Sequence, residues 1–205
     1  MGQARGDSVL GLDPRIVQVL MWAAVVGCCT AMSMPMVHLV SHATDLGYPP
    51  LHAAQLLSVL FAAAFISRIA FGHLADRIGA LPTLLFGSAC QAVMLLTFAV
   101  VDSLTGLYVS VLLFGLGFAG IMPCYPLIIR VLFPSSEAGW RIASQFLFAA
   151  LGMALGGWLG GFVFEQTGGY SAAFLAGFGF NVVNLFLVAF LLRRHRRWSR
   201  ELAIA

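Results

Sequence analysis

Charge is what this sequence has least of. Asp, Glu, Lys and Arg make up 9% of the 205 residues and 60% are hydrophobic, whereas a soluble domain is about 25% charged. Mean hydropathy is +0.95. An ordinary water-soluble domain is therefore excluded, and a membrane-embedded chain is expected. Lysine is absent altogether, so the net charge of +3 rests on arginine alone. Cysteine is sparse: Cys28, Cys29, Cys90 and Cys124 all sit inside apolar runs. They read as small packing residues, which leaves neither a disulfide framework nor a thiolate metal site. No secretory signal is expected either. Residues 1–15 are polar, and the apolar run after them is longer than a signal core and has no small-residue cleavage site. Gly2 does not open a myristoylation motif, because Gly6 stands where Ser or Thr is required.

Long apolar runs are present instead. A spanning helix takes about 20 apolar residues, so six spans and their loops fill the chain. The fold class expected is an all-α membrane protein with six transmembrane helices. Residues 1–15 form a cytoplasmic N-terminal segment, 16–192 the six-helix domain, and 193–205 a basic cytoplasmic tail. The first helix is expected from Ile16 to Leu39, opened by Pro14 and kinked at Pro35. The second runs from Leu51 to Phe71, the third from Leu81 to Val101, and the fourth from Leu104 into Leu132. Gly115, Gly117, Gly120, Pro123 and Pro126 should bend or locally unwind the fourth. The fifth runs from Arg141 to Phe164 and the sixth from Ser171 to Leu192. Gly152, Gly156 and Gly160 place a small residue on one face of the fifth helix at every turn, which suits close helix packing.

The arginines sort by loop. With six spans, Arg5, Arg15, Arg77, Arg141 and the run Arg193-Arg194-His195-Arg196-Arg197 fall on one side, and Arg68 and Arg130 lie toward it. The opposite loops hold Asp45, Asp102 and nearby Glu165 and no arginine. The positive-inside rule places both termini in the cytoplasm of a multi-pass protein, expected in a bacterial inner (plasma) membrane. The terminal arginine run suits contact with anionic lipid headgroups. Nucleic-acid binding is not expected of so short a basic run beside a span.

The most informative stretch is Phe71-Gly72-His73-Leu74-Ala75-Asp76-Arg77-Ile78-Gly79-Ala80, a polar break between two apolar runs. Gly72 suits the helix end and a close backbone approach. Asp76 can cap a neighbouring helix N-terminus, Arg77 can pair with it, and Gly79 permits a tight reversal. The string resembles the signature loop of the major facilitator superfamily, with Ala80-Leu81 where that family usually has two basic residues. The run Gly152-x-x-x-Gly156-Gly157-x-x-Gly160-Gly161 is similar to a glycine-rich motif of antiporters in that superfamily, with Gly157 in place of proline.

Arg68 is the leading candidate for chemistry. A guanidinium inside a span costs about 2.5–3.5 kcal/mol on insertion scales and marks a functional position by default. It can hold a carboxylate bidentately. His38 can titrate near neutral pH or contact a solute, or it can make an interhelical hydrogen bond. His38 and His42 are spaced i, i+4 but have no convincing third metal ligand. Tyr125, between Pro123 and Pro126, can face a cavity or pack. Gln91, Gln145, Asn181 and Asn184 read as hydrogen bonds between helices.

The strings Val37-His38-Leu39, Asp45-Leu46-Gly47-Tyr48 and Phe65-Ile66-Ser67-Arg68-Ile69-Ala70-Phe71-Gly72 resemble the seventh and eighth helices of monocarboxylate-porter-like members, including the oxalate/formate antiporter group. Phe164-Glu165-Gln166-Thr167-Gly168-Gly169-Tyr170 with Ala173-Phe174 resembles their eleventh-to-twelfth helix connection. The resemblance implies the C-terminal half of a twelve-helix transporter that works by alternating access. Arg68 stands where that family's substrate-carboxylate arginine stands. Ala64 replaces the aspartate that takes part in proton coupling in animal members. The implied substrate is a small organic anion such as a monocarboxylate, with a proton as candidate co-substrate and Asp76 and Arg77 in a gate. The implied partners are the lipid bilayer and a second six-helix half, from another polypeptide or a second copy. No cofactor and no enzyme activity are expected. An intramembrane serine protease would need a G-x-S-G-like nucleophile, and the nearest string, Gly87-Ser88-Ala89-Cys90, lacks the second glycine. The other readings are a truncated or regulatory partner without transport of its own, and one half of a permease for drugs or other solutes.

Overall fold

The computed structural model of the chain describes residues 8–204. Gly2, Arg5 and Gly6, used above, lie outside them. Seven helices follow one another: α1 (Pro14–Asp45), α2 (Pro50–Ile78), α3 (Ala80–Val100), α4 (Leu104–Phe118), α5 (Ile121–Leu132), α6 (Ser135–Thr167) and α7 (Ser171–Ile204). Taken together, α4 and α5 make one apolar segment, so among the described residues six segments are long and apolar enough to cross a membrane.

Local chemistry sets the ends. Asp13 caps α1 by accepting the Arg15 N–H at 2.7 Å, and Pro14 follows in the first turn. Ser103 caps α4 through the Gly106 N–H. The α2–α3 reversal takes a single residue, Gly79, at φ +92°. That is backbone space which side-chain-bearing residues rarely enter. The expected break in the fourth span falls between Phe118 and Ile121. Pro123 has no N–H for the Ala119 carbonyl and Pro126 none for Met122, so the helix is weakened there. Gly120 lets the Phe71 ring lie directly against the break, where a Cβ would overlap it.

Several helices outrun their expected limits. α2 does not end at Phe71 but continues to Ile78, α6 starts at Ser135, and α7 carries the arginine run to Ile204 as helix. Polar residues at the water boundary extend a spanning helix, which an apolar window cannot register.

Alongside each other, α1 and α6 run parallel, because partners advance together along both: Gln18 with Arg141, Trp22 with Ser144, Thr30 with Gly152, His38 with Gly157. Small residues allow this closeness. A Cβ on Gly152 would meet the Val26 carbonyl at 2.8 Å, one on Gly156 would overlap Ser33 and Thr30, and one on Gly160 would overlap the His38 ring. The glycine stripe thus lies directly against α1. α7 crosses α1 at Gly27, which lies under the Phe180 carbonyl. α4 meets α2 through Gly115 against the Leu60 carbonyl. Phe98, Phe114, Phe118 and Phe174 stack in the interior at centroid distances of 4.8–5.7 Å. The layout is uneven: 67% of the apolar stretch of α1 is buried, against 33% for α2 and α7 and 22% for α6. Open flanks on α2, α6 and α7 result.

Candidate functional site

One exposed stripe of α2 contains Phe61, Phe65, Arg68, Gly72 and Asp76. The steps of four, three, four and four residues keep them on one helix face. The opposite face, with Leu60, Ala63, Ala64, Ser67 and Phe71, is buried. Ser67 fixes the helix rotation by donating its hydroxyl to the Leu116 carbonyl at 2.7 Å. Arg68, the next residue, is turned outward by the same contact. Among the described residues its guanidinium has no hydrogen-bond or ion-pair partner. Position 64, where the resemblance puts an aspartate, faces inward against α4 with 6% exposure.

The motif residues differ from expectation in detail. Gly72 lies within α2 and not at its end, and among the described residues no other element approaches within 4 Å of the space its Cβ would fill. Asp76 is exposed in the last turn of α2 and caps no helix among the described residues. It forms no ion pair with Arg77, since successive helical residues point apart. Gly79, at φ +92°, is the single residue between α2 and α3.

His38 and Tyr125 occupy interior contacts. His38 is 8% exposed, donates its Nε2–H to the Gly157 carbonyl at 3.0 Å, and stacks on Tyr170 at 5.2 Å. It ties α1 to α6. Tyr125 is 1% exposed and donates its hydroxyl to Asn184 Oδ1 at 3.3 Å. Asn184 Nδ2 donates to Ser88 Oγ and to Asn181 Oδ1, and Asn181 Nδ2 to the Ser88 carbonyl. Gln91 bonds the Cys28 carbonyl in the same interior. Polar groups far from water are thus satisfied across α1, α3, α5 and α7. Arg68, His38 and Tyr125 do not converge: one lies on the open stripe, the others in two separate helix junctions.

A further polar centre sits at the start of α6. Arg141 is 4% exposed. Its Nε and Nη2 donate to Glu137 Oε2 at 2.9 and 2.6 Å, and its Nη1 to Gln18 Oε1 at 3.1 Å. The Phe133 and Trp140 rings lie 3.9 and 4.5 Å from its guanidinium carbon. This guanidinium clamps α6 to α1. Next to it, Gln145 donates to the Met21 carbonyl, while Gln18 Nε2 and Gln145 Oε1 are buried without partners among the described residues. In the sequence, Arg141 served only the topology argument. The Glu137-x-x-x-Arg141 spacing was the available signal, and it reads equally as a solvated surface pair.

Comparison with known proteins fits this architecture. Residues 19–204 match the family model described as Major Facilitator Superfamily. The chain belongs to the major facilitator superfamily. Among curated members of that superfamily it is similar to monocarboxylate transporter 13 of Bos taurus, 30% identical over 153 residues, and to that of Rattus norvegicus, 31% identical over the same length. These alignments cover 74% of this chain and 36% of each relative. The MFS-type transporter opdF of Penicillium oxalicum is 26% identical over 164 residues, covering 78% of this chain and 38% of that protein. The chain thus spans little more than a third of the length of these relatives.

Solved structures agree on the fold. A mutant of the peptide transporter POT in complex with alafosfalin superposes with a TM-score of 0.77 at 18% identity, over 90% of this chain and 39% of that one. The E. coli fucose:proton symporter FucP gives 0.65 at 18% identity, over 92% and 47%. The chain is therefore an integral multi-pass membrane protein with the architecture of half a superfamily transporter.

Proposed function

We propose that this chain is the C-terminal half of a transporter for a small organic anion, a monocarboxylate in the first instance, and that Arg68 holds the substrate carboxylate. One observation carries the reading. A guanidinium stands in a spanning helix, on the face turned away from its own bundle, with no acid beside it among the described residues. A charge so placed needs water or a counter-ion. A planar two-pronged donor on such a face suits a carboxylate. The similarity to monocarboxylate transporter 13 of cattle and rat supports the same reading.

A second six-helix half, another polypeptide or a second copy, covers the open flanks of α2 and α6 in this reading. The solute binds between the halves and the two rock about it. Gly72 lies open on the α2 stripe for the close approach of a partner helix. Asp76 and Arg77, exposed at the end of that stripe, serve as the gate that meets it. His38 and Tyr125 stand one step back from the gap and hold helices in place around it. A proton is the candidate coupling ion. Both termini lie in the cytoplasm of a plasma membrane of the bacterial inner-membrane kind, in accord with Arg15, Arg77, Arg141 and the terminal arginines on one side.

The test is uptake of labelled short-chain monocarboxylates into proteoliposomes. The chain is reconstituted alone, at a density that favours dimers, and together with an N-terminal six-helix half. Uptake in either arrangement that saturates with substrate and collapses for Arg68→Ala supports the reading. Flat time courses in both arrangements would instead make the chain a partner without transport of its own.

A further inference from the structure

We propose that the C-terminal turns of α7 form a binding site for the headgroup of an anionic phospholipid. α7 is 34 residues long, about 51 Å at 1.5 Å per residue. Its apolar part, Ser171 to Leu192, uses roughly 33 Å, which already matches a hydrocarbon core of about 30 Å. The turns after Leu192 therefore stand in the headgroup layer.

Those turns are built for a negative charge. Arg193, Arg196, Arg197 and Arg200 are all exposed, and their spacing of i, i+3, i+4, i+7 keeps them on one face. With Arg194 and Phe190 they line a cavity of about 320 Å³. Arg194 lies over the Phe190 ring at 5.6 Å, so the cavity has an aromatic floor on the side of the apolar stretch. Among the described residues no carboxylate lies within ion-pair distance of these guanidiniums.

The platform is held in place. Residues 9–12 form a tight hairpin turn, closed by Val9 N–H to the Leu12 carbonyl at 2.8 Å and the reverse bond at 3.0 Å. Leu10 and Gly11 both have positive φ, as a type I′ turn requires. Val9 and Leu10 are buried. Gly11 faces the Trp198 ring, which would lie 3.7 Å from a Cβ at that position. Trp198 itself packs against the core. The arginines thus project from a helix end anchored by the 9–12 turn through Trp198, so binding has side chains to order and no backbone.

A phosphodiester between these forks accepts two N–H bonds per guanidinium. A headgroup with its own ammonium is repelled by the same cluster, so phosphatidylglycerol is favoured over phosphatidylcholine. The aromatic floor at the edge of the apolar run favours a phosphate that carries acyl chains over one free in water. Arg196 also borders a cavity of about 280 Å³ with Gly79, Ala80 and Leu81, so the bound headgroup adjoins the α2–α3 reversal.

Native mass spectrometry of the purified chain, released from micelles doped equally with phosphatidylglycerol and phosphatidylcholine, tests this. Preferential retention of phosphatidylglycerol is expected, falling about fivefold per arginine removed in Arg193→Gln, Arg197→Gln and Arg200→Gln. The three corresponding Lys substitutions should retain most of it. Millimolar glycerol phosphate should not displace the lipid. Equal retention of both lipids, undiminished retention by the triple Gln variant, or displacement by glycerol phosphate would overturn the assignment. If the triple variant does not fold, Arg197→Gln alone and the unmodified chain in 0.5 M salt give the same reading. Selectivity that survives both is then the contradicting result.

Discussion

Arg68 is the residue with most at stake. An arginine at the centre of a span costs about 2.5–3.5 kcal/mol on insertion scales, and no group among the described residues offsets this. If the carboxylate of a solute does so, loss of a charge-assisted contact worth about 1.5–3 kcal/mol should weaken apparent affinity by roughly 10–100-fold in Arg68→Ala. Arg68→Lys should also weaken it, because an ammonium cannot present two parallel donors. Concentration dependence of uptake in the reconstituted two-half system measures both. Arg141 makes a contrasting case, since its partners are internal. Arg141→Ala leaves Gln18 Oε1 unpaired in the interior and removes the cation from two rings. It should cost about 2–3 kcal/mol. Glu137 has a side chain 43% exposed, so Glu137→Gln should cost less than about 1 kcal/mol. Thermal unfolding in detergent ranks the two, and a larger effect at Glu137 would contradict the buried-clamp description. Arg141 also shows where sequence reading stops. Its acid partner is four residues away and visible, but Gln18 lies 123 positions earlier, and no local pattern brings it there.

At the scale of the helix, glycine does most of the positioning. Gly156 and Gly161 are close neighbours in α6, yet a Cβ on the first would overlap Ser33 and Thr30 of α1 while one on the second meets nothing within 4 Å. Gly156→Ala should destabilise by about 1–3 kcal/mol, and Gly161→Ala should be neutral or slightly stabilising through helix propensity. Melting temperatures of the two variants decide it. Gly79→Ala forces a Cβ into φ +92°, a strain of about 1–3 kcal/mol, and should lower stability although the added Cβ would meet only Pro82 Cδ, at 3.7 Å. The glycine stripe and the Gly79 reversal were legible because spacing and turn chemistry are local. The face of α1 was not. A helix that is apolar all round carries no periodic mark of which side meets protein and which meets lipid. His38 on α1 therefore had two open readings, and the packing of α6 sets its rotation. Tyr125 had two as well, because a phenol on the apolar side of α5 suits a cavity or a packed interior equally.

As a whole, the molecule has two largely buried members, α1 and the α4–α5 span, with open flanks on α2, α6 and α7. Six spans, their order and the superfamily were readable from apolar run length and one loop motif. Which flank is open is a property of the assembled bundle. The central claim is that the α2 stripe around Arg68 faces a watery gap between two halves and not lipid. Thiol labelling tests this most directly. Phe65→Cys, one turn from Arg68 on the same stripe, is compared with Phe86→Cys on the exposed face of α3. Both are made with Cys28, Cys29, Cys90 and Cys124 replaced by alanine, and the chain is reconstituted with an N-terminal half. A charged, water-soluble methanethiosulfonate should modify position 65, more slowly when a monocarboxylate is present, and should leave position 86 untouched. Modification at neither position, or equally at both with no protection by carboxylate, would contradict it.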